Sequence, residues 1–256
     1  MGALWYGTCT RTPFPRHDFK RVYDVFVVSR SNLFIVAVVL AFFAAGRDFP
    51  QESSQILDRP FPYDVFDRTE GPLPAISELL RSNGLSGGVV LTSDFCDTAP
   101  PVHWWAKQDS PFRQVLNDFQ ASNPDYHWEL RGDVLNLVPA TGVPPLLAAK
   151  VRDFDLDTTD QKLPYPPVRS LLDLPEIRKA ATELHLKEGT YYGGPMAVWN
   201  GRGQKPPPKP IDVHIKNASL QDSLNAIAQA YGHTMWWYER RVCGGEETYT
   251  VSSQRD

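Results

Sequence analysis

The sequence lacks the positive charge that nucleic-acid binding requires. Its 256 residues carry 26 basic and 30 acidic side chains, a formal net charge of −4. The residues after position 46 contain 21 basic and 28 acidic side chains, so their net charge is −7. Contacts from Lys and Arg to phosphate supply most of the affinity for nucleic acid. An acidic chain without a basic stripe is therefore predicted to have no nucleic-acid partner.

Metal-binding patterns are also missing. The six histidines never occur as H-x-x-x-H or H-E-x-x-H, the spacings of common zinc sites. The acidic run Asp153–Asp160 resembles a calcium loop, but Thr158 and Pro164 stand where an EF-hand has glycine and glutamate. The acids alternate with apolar residues, which favours a solvated linker or strand over a metal site. We expect no metal and no cofactor.

No catalytic nucleophile lies in a suitable context. The run Gly84-Leu-Ser-Gly-Gly88 matches G-x-S-x-G, which requires a strand before the serine and a helix after it. Here the predicted order is reversed, since a helix precedes the motif and the strand Val89–Leu91 follows. The pattern predicts a helix C-cap with turn glycines. We predict that the protein is not an enzyme.

Long apolar runs are absent except for one, Leu33–Ala45. It follows five basic residues and ends in small residues up to Gly46, the pattern of an export signal. The run is shorter than the roughly twenty residues of a spanning helix. Residues 1–46 are therefore predicted to be a signal peptide or a signal anchor. The rest is expected in the periplasm or anchored outside the cytoplasmic membrane, with membrane contact only through an uncleaved N-terminal segment.

Cysteine is scarce, with three residues in the chain. Cys9 lies in the predicted signal region, which leaves Cys96 and Cys243 in the exported part. Two cysteines in an oxidising compartment favour a disulfide. Whether their Cα atoms come within bonding reach is left open by the sequence.

The clearest local signal is a strand–helix–strand pattern around residues 214–240. Ser219 and Asp222 form a capping box at the start of a helix, and Gly232 ends it. One apolar stripe runs along the helix at Leu220, Leu224, Ile227 and Tyr231. Alternation predicts a strand at Ile211–Lys216 before the helix, and the aromatic run Met235–Tyr238 predicts another after it.

A similar pattern occurs about a hundred residues upstream, at Ser110–Pro139. Ser110 is the expected N-cap, with Pro111 at the first helical position. Trp128 follows Asn117 at the same distance as Trp236 follows Asn225. Short helices are predicted before both copies, at 76–80 and 177–181. The repeated unit α-β-β-α-β-β predicts an α+β protein with two duplicated modules, each with its own small sheet.

The predicted organisation has four parts after the signal. They are a tether at 47–71, module one at 72–139, a linker at 140–170 and module two at 171–253. The 23 prolines fit loops and linkers rather than a bundle of long helices. Within module two, Gly201–Pro210 is predicted to be an exposed polyproline-like loop.

The second copy resembles a known family. The opening Asn217-Ala-Ser-Leu220, the helix core Leu224-Asn-Ala-Ile227 and the Trp-x-Tyr strand are similar to the short N-terminal (STN) domain of secretins and TonB-dependent receptors. They are also similar to small α+β domains of anti-sigma regulators. In the first copy Asp109-Ser-Pro-Phe112 replaces the opening. The resemblance implies a non-catalytic docking or signalling module of the Gram-negative cell envelope.

The tryptophan pairs Trp104-Trp105 and Trp236-Trp237 are the predicted partner-binding residues. Neighbouring side chains on a strand point to opposite faces, so one of each pair must leave its own core and meet the other module or a partner. An envelope protein could add a strand at the sheet edges predicted at 211–216 and 235–238. The alternative function is glycan or peptidoglycan binding by exposed tryptophans.

Overall fold

The computed structural model describes residues 52–93, 96, 99–158, 168–189 and 210–255. Its six α-helices within these ranges are α1 (Glu52–Leu57), α2 (Pro72–Asn83), α3 (Phe112–Ser122), α4 (Val168–Leu172), α5 (Pro175–Glu183) and α6 (Leu220–Tyr231). The strands are β1 (Val65–Glu70), β2 (Ser86–Ser93), β3 (Val102–Ala106), β4 (Tyr126–Arg131), β5 (Val134–Pro139), β6 (Lys150–Asp157), β7 (Lys187–Glu188), β8 (Asp212–Ser219), β9 (Thr234–Cys243) and β10 (Glu246–Arg255). The α+β class is confirmed.

Two predictions fall outside the described ranges. They are the export signal at residues 1–46 and the polyproline-like loop Gly201–Pro210, apart from its last residue Pro210. Among the helices that the structure describes, none is both long and apolar enough to cross a membrane.

Six strands form one mixed sheet in the order β4-β5-β2-β9-β10-β7. Two antiparallel ribbons, β1–β3 and β6–β8, accompany it. The prediction of a separate small sheet for each module is wrong, because β2 and β9 pair in parallel from Gly87–Met235 to Ser93–Arg241. We call this pairing the β2–β9 junction. It joins the first half of the chain, residues 52–139, to the second half, residues 150–255.

Glycine on β2 allows the two strands of the β2–β9 junction to approach each other closely. On the other side of β2, a Cβ atom at Gly87 would lie 2.7 Å from the carbonyl oxygen of Leu135 on β5. A Cβ atom at Gly88 would lie 2.6 Å from Asn136 Oδ1 and nearer still to the indole of Trp236. The indole therefore lies directly against the backbone of β2. Strand glycines often mark such close approaches.

The sheet separates two hydrophobic cores. Val89 and Leu91 belong to a core with α2, α3 and the β1–β3 ribbon, whereas Val90 belongs to a core with α4, α5, α6 and the β6–β8 ribbon. Strand β9 contributes to both in the same way, through Trp237 on the first side and Trp236 on the second. Because side chains alternate along a strand, the two cores lie on opposite faces of the sheet.

A disulfide closes the end of the β2–β9 junction. Cys96, three residues after β2, is bonded to Cys243 at the end of β9, with their Cα atoms 4.7 Å apart. The pairing left open by the sequence is thus confirmed. The bond joins the two halves across 147 positions of sequence.

Several predicted boundaries change. Residues 52–71, expected in the tether, contain α1 and β1, and the expected linker contains a 3₁₀ turn at Pro145–Ala148 and β6. Strand β1 pairs with β3 and strand β6 pairs with β8, so both expected connecting segments are part of the fold.

Helix α3 begins at Phe112 with Pro111 as N-cap and no side-chain cap, so Ser110 does not cap it. The capping box of α6 is confirmed, since Ser219 Oγ accepts a hydrogen bond from the Asp222 N–H at 3.0 Å.

Replacing Gly88 by Ala is expected to lower the free energy of unfolding by about 2–3 kcal/mol, because the methyl group overpacks the β2–β9 junction. Gly71→Ala is the matched control. Gly71 has an ordinary φ of −61° and its added Cβ would meet Pro74 at 3.5 Å. Urea unfolding measures both. Equal stabilities for the two variants would contradict the close approach.

Candidate interaction surface

Three of the four tryptophans predicted to bind a partner are buried. Trp104 and Trp236 have no exposed surface and Trp237 is 3% exposed. The indole N–H of Trp104 donates to Glu70 Oε1 at 2.7 Å, and that of Trp236 donates to Asn225 Oδ1 at 2.8 Å. The partner-binding assignment is therefore wrong for Trp104, Trp236 and Trp237, which are core residues.

The alternation argument behind that prediction nevertheless holds for the second pair. Trp236 fills the core of its own half, beside α6. Trp237, on the other face, joins the core that contains α2 and α3 of the first half. The sequence left open whether the outward tryptophan meets the other module or a partner. Trp237 packs into the other half of the chain.

The outer face of the β1–β3 ribbon carries the exposed aromatic side chains. Trp105 is 44% exposed and Phe66 is 83% exposed, and these are the exposed large hydrophobic residues of the described chain. Val65 is opposite Ala106 and Arg68 is opposite Trp104, with a register shift between these two pairs. Phe66 and Trp105 both lie within this short stretch of the ribbon, and both side chains are exposed. We call this surface the aromatic face. Exposed apolar patches often mark interaction sites.

Next to it, Thr69 and His103 form a cross-strand pair. Thr69 Oγ1 and His103 Nδ1 are 2.8 Å apart and hydrogen-bonded. Beneath the ribbon, Arg68 lies over the Trp104 ring and donates to Glu78 Oε2 at 2.6 Å. These contacts fix the ribbon on α2 and hold the aromatic face in place.

The sequence did not reveal Phe66 as a surface residue. It lies in the stretch assigned to the tether, where Pro60 and Pro62 dominated the interpretation. The available signal was the pair Val65-Phe66, since β-branched and aromatic residues favour strands. Nothing local, however, indicated β3 as the partner strand, whose paired residues lie 32 to 41 positions away.

The two predicted sheet edges have different outcomes. Strand β9, which contains 235–238, lies inside the six-stranded sheet between β2 and β10, so its prediction as an edge is wrong. Strand β8, which contains 212–216, pairs with β6 alone among the described strands and keeps one edge.

The outer face of the β6–β8 ribbon is acidic. His214 Nδ1 lies 2.5 Å from Asp155 Oδ1, and His214 Nε2 lies 3.2 Å from Asp212 Oδ1. The hydrogen bond to Asp155, with the charges of Asp212 and Asp155, raises the pKa of His214. The described residues hold no group of three or more His, Cys, Asp or Glu side chains able to bind a metal ion.

The G-x-S-x-G serine has a structural role in the fold. Ser86 follows Gly84, the left-handed C-cap of α2, and begins β2. Its hydroxyl donates to the Ala228 carbonyl oxygen at 2.9 Å and accepts from the Thr234 N–H at 3.4 Å. The helix–turn–strand order is the reverse of a nucleophile elbow. The serine thus links the two halves at the β2–β9 junction.

Comparison with known proteins leaves the family undetermined, since no family model matches the chain and no curated protein matches its sequence.

The two members of the first tryptophan pair should respond differently to truncation. Trp105→Ala is expected to change the free energy of unfolding by less than about 0.5 kcal/mol, as exposed substitutions usually do. Trp104→Ala is expected to cost about 3–5 kcal/mol because it empties a core position. Chemical denaturation of both variants tests this. Comparable losses would mean that Trp105 is also part of the core.

Proposed function

We propose that this chain is an exported, non-catalytic protein-interaction protein of the bacterial envelope, built from two STN-like modules. The observation that carries the proposal is the aromatic face. Phe66 and Trp105 are large apolar side chains held outward on an ordered ribbon. Aromatic residues are enriched among those that dominate protein–protein binding energies.

The order of elements supports a duplication. The first half runs β1-α2-β2-β3-α3-β4-β5, and the second runs β6-α5-β7-β8-α6-β9-β10 with the short helix α4 inserted. In each half the fourth element in this order pairs with the first to make a ribbon. The remaining strands enter the sheet in the same sequence, β4-β5-β2 and β9-β10-β7.

A shared side-chain contact gives further support. Trp128 Nε1 donates to Asn117 Oδ1 at 3.2 Å, and Trp236 Nε1 donates to Asn225 Oδ1 at 2.8 Å, each across 11 residues. In both cases the asparagine lies on the second helix of the module and the tryptophan on the strand after it. This shared contact therefore supports the proposed duplication.

Two features support export. One is the basic and apolar N-terminal pattern ending near Gly46. The other is the Cys96–Cys243 disulfide, since structural disulfides persist in oxidising compartments and are rare in the cytosol. The periplasm satisfies both, as does an outward-facing position anchored by an uncleaved signal.

A protein partner is preferred to a glycan because two polar side chains next to the aromatic face, Thr69 and His103, are already paired with each other. Sugar recognition needs polar groups beside an aromatic platform. Glycan binding remains the second candidate, because Trp105 presents an exposed indole.

The aromatic face is tested by capture from envelope extract. The purified protein is immobilised beside the double variant Phe66→Ser/Trp105→Ala and the control Lys179→Ala, an exposed change on α5. We expect a specific envelope protein to be retained by the wild type and the control, and at least tenfold less by the double variant. Saturable binding of peptidoglycan fragments that is lost in Trp105→Ala would support the glycan candidate instead.

Export is tested by the form of the protein found in cells. The exported chain is expected outside the cytoplasmic membrane with Cys96 and Cys243 oxidised. If the signal is cleaved, N-terminal sequencing should begin near Arg47. Thiol labelling with and without reductant reports the oxidation state. A full-length cytosolic protein with both thiols free would contradict export.

A further inference from the structure

We propose that the free edge of β4 binds an extended segment of a partner protein, added parallel to β4 with a glycine against Trp128. This inference rests on the proposed interaction function and names a second surface for it. The aromatic face lies on the β1–β3 ribbon, whereas β4 is the terminal strand of the six-stranded sheet among the strands that the structure describes.

The chain contains an internal example of such binding. Strand β9, the counterpart of β4, is covered by β2, with Gly88 opposite Trp236 in a parallel register. The indole of Trp236 lies where a Cβ of residue 88 would be. Trp128 holds the equivalent position on β4 and makes the equivalent bond to Asn117. Trp128 on β4 is therefore placed to pack against a glycine of an incoming strand, as Trp236 on β9 packs against Gly88 of β2.

Three equivalent residues are more buried at the α6–β9 site, which β2 covers, than at the α3–β4 site. In the second half Asn225, Ala228 and Trp236 are all buried. Their counterparts on α3 and β4, spaced identically in sequence, are Asn117, Gln120 and Trp128. Asn117 and Gln120 are exposed and Trp128 is partly exposed. Since Ser86 bonds to Ala228 and Gly88 lies on Trp236, strand β2 accounts for the difference.

Strand directions fix the orientation of the incoming segment. β5, β2 and β9 run parallel to one another, while β4 and β10 run antiparallel to their neighbours β5 and β9. The second half thus repeats the first with its strands reversed, its helices on the opposite face and its order along the sheet kept. The two halves are related by a half-turn rotation about an axis that lies in the sheet perpendicular to the strands, combined with a shift of three strands along that axis. Continuing the pattern beyond β4 places a strand parallel to it.

Gln120 blocks this edge in the free protein. The backbone N–H of Trp128 donates to Gln120 Oε1 at 3.4 Å, a long hydrogen bond from a strand edge to a helix side chain. The residue at the equivalent position in α6 is Ala228, whose short side chain leaves room for β2. An incoming strand would displace the Gln120 amide and supply a shorter backbone partner.

The occupant is a segment of another protein rather than a second folded copy. The strand that fits this kind of site, β2, lies in the middle of its own sheet with neighbours on both sides. It is therefore unavailable to another molecule. The partner segment should be extended and apolar, with serine or glycine before the glycine that meets Trp128, as in Ser86-Gly-Gly-Val89.

The test uses a synthetic peptide with the sequence of residues 85–93, LSGGVVLTS, carrying added lysines for solubility. Its control has valine in place of the second glycine. Isothermal titration of the full-length protein is expected to give saturable binding of the first peptide and at least tenfold weaker binding of the second. Trp128→Ala should weaken binding at least tenfold. Trp105→Ala, which removes an exposed tryptophan from the aromatic face, should leave it unchanged.

Gln120→Ala is expected to change the affinity for the peptide in the opposite direction to Trp128→Ala. It copies the residue of the second half and is expected to tighten peptide binding at least threefold. If Trp128→Ala does not fold, the two peptides and Gln120→Ala still decide the question. The site is refuted by absent binding, by equal affinity for the two peptides, or by weaker binding to Gln120→Ala. If the aromatic face still captures an envelope protein in that event, the interaction function stands and the β4 site alone is lost.

Discussion

The contact of the Trp236 indole with the backbone at Gly88 is the constraint on which the fold depends. It allows β2 and β9 to pair, and that pairing makes one six-stranded sheet from the strands of two halves. A side chain at residue 88 would push the strands apart. The absence of a Cβ at residue 88 therefore lets β2 and β9 pair closely at this point of the shared sheet.

Sharing the sheet also makes the two cores interdependent. Trp236 and Trp237 are neighbours on β9 but anchor cores on opposite faces. Polar contacts reinforce the link, since Gln221 donates to Glu129 and Arg131 donates to Asp222, both at 3.0 Å. Each such bond contributes only about 1 kcal/mol net, whereas burying an indole contributes several times more. Apolar burial at the β2–β9 junction therefore dominates the cohesion of the halves.

Local sequence signals predicted the local structure well. The capping box at Ser219, the end of α6 at Gly232 and the α+β class all follow from short-range rules and are present. The partners of β1 and β6 were not predictable, because these strands pair with residues 32 or more positions away. The Trp-Trp pairs illustrate the limit. Alternation required either Trp236 or Trp237 to leave its own core, but only the tertiary structure shows that it is Trp237 and that the first half receives it.

The disulfide has a consequence for a chain under mechanical load. A pull applied between residues 52 and 255 passes through the Cys96–Cys243 bond and bypasses the 147 positions between the cysteines. While the bond is intact, force can extend only the segments outside it. Reduction would expose a hidden length of about 500 Å, at roughly 3.4 Å per extended residue. The oxidation state of one bond thus sets how far this protein can stretch between two tethered ends.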